Sequence, residues 1–270
     1  MGAQMAKHAP GILIRCWLAA MLLAPCPALA QDMMSGVNLS SPTFTEAEMT
    51  RDEVAALLDA DQPPDLSLRR LNGLDLSGLD FSRVNLRGAY LNKAKLVGAR
   101  FDAAILDQAW ALDSDWSQAS LKGAMLFAAQ MRGADFSGAD LTDARIAADL
   151  TRANLSGAKL AGADLSADMK NQSMGLMRAV LDSANLVGAD LSGANMARTR
   201  MKFAKLSGAD LSDANLMLAE MAGADLTGAN VAGANFEGTD VTSTKLIGLV
   251  GVDQARNLDQ AKNLDRAIRK

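Results

Sequence analysis

The residues best suited to nucleophilic catalysis or to tight metal binding lie together at the start of the chain. The only histidine, His8, and both cysteines, Cys16 and Cys26, precede Gln31. Ser/His/Asp and Cys/His catalysis need an imidazole, while zinc sites and disulfides use histidine or cysteine. If the segment before Gln31 is removed, the remaining chain lacks the histidine and cysteines that such catalysis, zinc sites and disulfides require. We therefore predict no catalytic, cofactor-binding or metal-binding residues in it.

That segment has the features of an export signal. Lys7 and Arg15 are basic, residues 16–24 form an apolar run, and Ala30 is a small residue at a cleavage point. The run is shorter than the roughly 20 residues that a membrane span needs. We predict a signal peptide at 1–30, cleaved after Ala30, and no stable membrane insertion afterwards.

The predicted location is periplasmic or secreted. Lipidation of Cys26 is left open as an alternative, although Pro25 before it fits poorly. The whole chain has 27 basic and 31 acidic residues, and removal of Lys7 and Arg15 leaves 25 against 31, a net charge of about −6. Nucleic-acid-binding domains carry basic patches instead, so we predict no nucleic-acid partner.

Two further groups of side chains could carry chemistry. Met169, Met174 and Met177 lie close in sequence, and thioethers can bind copper. Methionine is more often an adaptable core residue, which is the interpretation we favour. Aspartate and asparagine recur every fifth residue, as at Asn185 and Asp190. Such regularity suits side chains that hydrogen-bond a nearby backbone turn better than a catalytic carboxylate pair.

A five-residue repeat must position all of these side chains. Its phrase is a small residue, Asp or Asn, a large apolar residue that we call the centre, a variable residue and often glycine, as in Ala184–Gly188, Ala189–Gly193 and Ala224–Gly228. A period of five matches neither a helix nor a flat strand. A short extended segment followed by a turn directs the small residue and the centre inward and the Asp or Asn outward. Four such sides make a square coil, and stacked coils lie about 4.8 Å apart.

The A(D/N)LxG phrase resembles the pentapeptide-repeat family from about Leu71 to Gly248. The resemblance implies an all-β fold, a right-handed quadrilateral β-helix. Members of this family are functionally diverse, so the resemblance predicts the fold better than the activity.

Short helical caps should close both ends of the β-helix. Thr50 and Glu53 match a helix capping box, and apolar residues recur every three positions after Gly248. The spacing of centres changes near Ala147 and again after Leu165 and then recovers, which predicts a local bulge. The predicted organisation is a signal peptide at 1–30, a flexible linker at 31–42, an N-terminal capping helix and lead-in at 43–70, the β-helix at 71–248 with an irregularity at 147–180, and a helical cap at 249–270.

Stacking of like positions in successive coils predicts two aromatic pairs in the interior, Phe81 with Phe101 and Trp116 with Phe136. The same rule gathers outward apolar residues into one cluster, the predicted patch: Tyr90, Ile105, Trp110, Leu112, Met125 and Phe127. An exposed apolar cluster of this kind marks an interaction surface. In the alternative, the weak repeat around Ala111 is distorted and Trp110 turns inward.

We predict an exported, non-enzymatic structural or protein-interaction module that binds an unknown protein partner or a second copy of itself. The family resemblance suggests one alternative, a DNA-mimicking protein that binds gyrase or a topoisomerase. The outward basic residues Lys95, Arg100 and Lys159 argue against it, because a DNA mimic needs rows of negative charge. The other alternative is a cell-wall or carbohydrate binder that uses Tyr90 and Trp110.

Overall fold

A computed structural model describes residues 34, 36–170 and 177–270. The predicted signal peptide at 1–30 and Met174 therefore lie outside the described residues. The helices of the described chain are α1 (Pro42–Thr45), α2 (Arg51–Leu58) and two 3-10 helices, Leu258–Gln260 and Leu264–Arg266.

Isolated parallel bridges between outward residues join each coil to the next. They fall into four columns, which we call faces 1 to 4 and which start at Asp65, Arg70, Asp75 and Asp80. Each side of a coil contributes one bridged residue to its column. The described chain therefore forms a β-solenoid in which each side pairs with the next coil through a single residue and not through a longer strand. Ten rungs on face 1 give a rod roughly 40 Å long at the usual strand spacing.

The corner between two sides requires a positive φ at the fifth residue of each repeat. In the repeat around Leu181 the Ala184 N–H donates to the Leu181 carbonyl at 3.0 Å, and Ser183 between them has φ 58°. Glycine adopts this conformation without strain, which explains why it ends so many repeats. Phe203 takes this place in one repeat, and a glycine follows it one coil later: a Cβ on Gly223 would lie 2.6 Å from the Phe203 ring.

Alanines and centres fill the interior as predicted. Ala189 and Leu191 are 1 % and 0 % exposed, and the same burial holds along the rod. The Phe81 and Phe101 rings stack with centroids 4.7 Å apart, and the Trp116 and Phe136 rings stack at 5.6 Å. Both predicted aromatic pairs are confirmed.

The N-terminal end of the solenoid is closed as the capping box predicts. The Thr50 hydroxyl accepts from the Glu53 N–H, and the Glu53 carboxylate accepts from the Thr50 N–H at 2.8 Å. Val54 of α2 is fully buried in the core. The Arg51 guanidinium donates to the Asp75 and Ser77 carbonyls on the edge of the first coil. This edge would otherwise present unpaired carbonyls to other chains.

The irregular region is larger than a bulge. Asp149 pairs with Val180 on face 2, and Asn185 follows Asn154 on face 3 by 31 residues where a regular coil takes 20. The described chain leaves the columns after Leu165 and rejoins them at Ala179, with eleven residues more than a regular coil between these two points. Met169 is therefore not a centre, and it is 51 % exposed. Our interpretation of it as a core residue is wrong.

The C-terminal segment continues the solenoid. Val250, Arg256, Lys262 and Ile268 each form a parallel bridge to the preceding coil, at intervals of six residues. The two 3-10 helices form corners of this wider turn. The predicted helical cap is therefore corrected to a final coil with six-residue sides, in which Ala255, Ala261 and Ala267 keep the small position.

Candidate interaction surface

The predicted patch extends over two neighbouring faces. Tyr90 and Trp110 are successive rungs of face 2, and Ile105 and Met125 are successive rungs of face 1. The repeat at Trp110 is regular, because the Trp110 N–H donates to the Ala89 carbonyl at 2.9 Å and Ala111 is fully buried. Trp110 therefore lies outside the coil, and the alternative of a distorted repeat is not observed.

An N-terminal segment, which we call the strap (residues 39–50), covers the face 2 half of the patch. The Phe44 ring meets the Tyr90 ring edge-on at 5.2 Å and the Trp110 ring at 4.9 Å. Leu39 and Phe44 also line a small cleft with Leu112. This contact was not predicted from the sequence, although Phe44 is the one aromatic residue between Gln31 and Leu71.

Two buried asparagines hold the strap. The Asn72 amide donates to the Thr43 and Glu46 carbonyls at 3.0 and 2.9 Å, and the Asn92 amide donates to the Phe44 carbonyl at 3.3 Å. Both asparagines are 5 % exposed. Backbone carbonyls of the strap thus take the place of water as hydrogen-bond acceptors for the Asn72 and Asn92 side-chain amides. Each of these asparagines directly follows the centre of a face 2 repeat.

The Glu48 carboxylate fixes the end of the strap. It accepts from Arg69 and Arg70 at 3.3 and 3.2 Å. Burial would raise the pKa of Glu48, but the hydrogen bonds from Arg70 and Arg69 outweigh it and hold the pKa below its ordinary value.

The face 1 half of the patch is open. Met125 is 44 % exposed, and it lines a cleft of about 530 Å³ with Phe127 and Met169. The Phe127 N–H donates to the Asp107 carboxylate at 3.0 Å, and this carboxylate also accepts from Arg87 at 3.1 Å. The backbone below the cleft is therefore held as firmly as the backbone below the strap.

Charged groups form the far wall of this cleft, where the described chain leaves the rod after Leu165. The Arg145 guanidinium donates to the Asp164 and Ser166 carbonyls, both at 3.0 Å. The Asp168 N–H donates to the Met177 carbonyl at 2.7 Å and closes the base of the excursion. The result is an apolar floor formed by Met125, Phe127 and Met169 beside a polar wall.

The outward aspartates accept hydrogen bonds from residues at the corners, as the sequence predicts. The Asp190 carboxylate accepts from the Ser192 N–H at 3.0 Å and from its hydroxyl at 2.7 Å. In Asp75 the hydrogen bonds to Ser77 lower the carboxyl pKa. Within the described residues no group of three His, Cys, Asp or Glu side chains could hold a metal ion. Of the three clustered methionines, Met169 is exposed and Met177 is buried.

The outer surface mixes charges of both signs. Arg100 lies 3.4 Å from Asp80, Arg200 lies 2.8 Å from Asp182 and Lys245 lies 2.8 Å from Asp225. Within the described residues, no helix has the length and apolar composition of a membrane span.

Comparison with known proteins agrees with this architecture. The family profile described as "Pentapeptide repeats" matches in eight copies, at residues 70–108, 113–143, 147–167, 176–213 and 219–249, which is more than half of the chain. The chain belongs to the pentapeptide repeat family. Membership accounts for the four-column solenoid and leaves the activity undetermined.

Solved structures of pentapeptide repeat proteins are similar to the chain. HetL, involved in heterocyst differentiation regulation in Nostoc sp. strain PCC 7120, is 27 % identical, with 82 % of this chain and 99 % of that one covered and a TM-score of 0.43. QnrB1, a plasmid-mediated fluoroquinolone resistance protein, is 19 % identical over 72 % and 92 %, with a TM-score of 0.41. A protein of the Arabidopsis thaliana thylakoid lumen is 32 % identical over 41 % and 63 %, with a TM-score of 0.16. A search among curated proteins finds no significant match.

Proposed function

We propose that this chain is an exported, non-enzymatic protein-interaction module, a right-handed quadrilateral rod that docks a protein partner in the open cleft on face 1. The observation that carries the proposal is the exposure of Met125 and Met169 beside Phe127 in one cleft. Protein interfaces place an apolar centre inside a polar rim, and methionine adapts to irregular partner shapes. The occupant is a protein segment that inserts an apolar side chain between these residues.

The position of the strap favours this cleft over the aromatic pair on face 2. A sugar binder needs an open aromatic ring, whereas Phe44 covers both Tyr90 and Trp110. A duplex-DNA mimic needs continuous rows of negative charge, and the outward arginines and lysines interrupt them. Both considerations support docking on face 1.

Site-specific crosslinking tests the proposal. A photocrosslinking residue at Phe127 should give one discrete adduct in cells, while the same residue at Ser137, which lies half a coil away on face 3, should give none. The partner in the adduct is then purified, and its binding should weaken at least tenfold in Met125→Asp but not in Ser137→Asp. An adduct of twice the chain mass would identify a second copy as the occupant. Equal adducts at both positions, or none, would overturn the proposal.

Export is tested separately. Fractionation of cells should place the mature protein outside the cytoplasm, with Gln31 as its first residue. A cytoplasmic protein that retains Met1 or Gly2 would contradict this part of the proposal.

A further inference from the structure

The methionines of the described chain differ sharply in their access to solvent. Met131, Met196, Met201 and Met221 are fully buried in the interior, and Met177 is 6 % exposed. Met34, Met49 and Met217 are partly buried. Among the described methionines, only Met125 and Met169 are exposed, at 44 % and 51 %, and both line the face 1 cleft.

Exposure controls how fast a thioether is oxidised. A peroxide transfers one oxygen atom to the sulfur: the sulfur lone pair attacks the oxygen, the O–O bond breaks, and the peroxide is reduced to water or an alcohol while the thioether becomes a sulfoxide. The sequence has no cysteine after Cys26 that could compete for the oxidant. A buried centre such as Met196 reacts only when the coil around it opens.

We propose that Met125 and Met169 form a paired oxidation site for hydrogen peroxide and organic peroxides, and that its oxidation closes the face 1 cleft to apolar partners. Selective oxidation follows from exposure alone. The effect on docking rests on the proposed function, because it concerns the same surface.

The consequence for binding follows from the polarity of the sulfoxide. A thioether presents an apolar, adaptable surface, whereas a sulfoxide carries a strong hydrogen-bond acceptor. The floor beside Phe127 would then contain two acceptors that an apolar side chain cannot satisfy, and an unsatisfied polar group is costly to bury. Enzymatic reduction of the sulfoxides restores the thioethers, so the change is reversible.

Peptide mass spectrometry tests the first step on the folded mature protein. With hydrogen peroxide, Met125 and Met169 should be oxidised at least tenfold faster than Met196 and Met201, and Met217 should react at an intermediate rate. The same treatment in denaturant should remove these differences. Rates in the folded protein that do not separate the cleft methionines from the interior ones would overturn the proposal.

The second step is tested with the Phe127 crosslinker and a double variant, Met125→Leu with Met169→Leu, which keeps the side-chain volume and cannot be oxidised there. Peroxide treatment should reduce the adduct at least tenfold in the parent and leave it unchanged in the double variant. A parent adduct that survives complete oxidation of both methionines would refute the switch. If the untreated parent gives no adduct, the docking proposal fails, and the oxidation map still decides the first step.

Discussion

The two halves of the apolar patch show how one architecture treats exposed hydrophobic residues in two ways. On face 2, Tyr90 and Trp110 lie beneath Phe44, and the strap that carries it is held by Asn72 and Asn92. On face 1, Met125 is exposed. Both halves rest on equally regular backbone, because a buried side chain from the coil below accepts the N–H of Leu112 in one and of Phe127 in the other.

An outward apolar residue of this solenoid can therefore be either covered by another segment or left accessible to solvent. The rigid coil gives it a position, and a segment from elsewhere in the chain decides whether it contributes to stability or is left accessible. Because the strap covers the face 2 half and leaves Met125 on face 1 exposed, we expect the face 2 half to contribute more to the stability of the fold.

Substitutions in the interior should lower the free energy of unfolding more than any substitution in either half of the patch. They provide the scale against which the patch variants are compared. Leu191→Ala should lower the free energy of unfolding by roughly 2–5 kcal/mol, because the surrounding coils cannot collapse into the cavity. Ala189→Leu should lower it by about 1–3 kcal/mol through overpacking. Denaturant melts measure both, and variants that match the parent would show that the assignment of inside and outside is wrong.

The covered half should be the more sensitive half. Phe44→Ala should lower the free energy of unfolding by about 2 kcal/mol, since it removes a partly buried ring from two aromatic neighbours. It should also make Trp110 more accessible to acrylamide quenching. Phe127→Ala is the matched change in the open half, and it should cost no more than about 0.5 kcal/mol. Equal costs in the two variants would remove the distinction between the halves.

The strap should respond to acid. Because the pKa of Glu48 is lowered in the folded chain, its ion pairs with Arg69 and Arg70 stabilise the strap fully above the ordinary pKa of 4.5. This stabilisation is lost as the pH falls through the folded pKa. The effect should be about 1 kcal/mol or less, since the ion pairs are partly exposed. Trp110 quenching should therefore rise below pH 4.5 in the parent. Glu48→Gln should show the higher quenching already at about pH 7, and a parent-like pH response in this variant would contradict the assignment.

The sequence predicted the interior well because periodicity determines it. Every coil repeats the same inward pair, so the contact between Phe81 and Phe101 follows from their separation by one coil along the chain. The corner aspartates were predictable for the same reason, because Asp190 hydrogen-bonds within its own repeat.

Contacts outside the period were not predictable. The strap contacts face 2 through Phe44, which is far from Trp110 in sequence. No local sequence pattern predicts the contact between these two rings. The excursion after Leu165 was misread because Met169 happens to fall near an apolar position. A signal for the final coil was present in the six-residue spacing of Ala255, Ala261 and Ala267, but their neighbouring leucines produced a helical pattern instead.

Between Leu165 and Ala179 the chain uses eleven residues more than a regular coil. The chain departs at one corner and returns to the next column, and the coils above and below it still pair on all four faces. Alignment of neighbouring coils therefore depends on the column at which the chain re-enters the rod and not on the number of residues between its exit and its return. This corner accommodates eleven residues beyond a regular coil, which makes it a natural position for grafting a foreign peptide onto the rod.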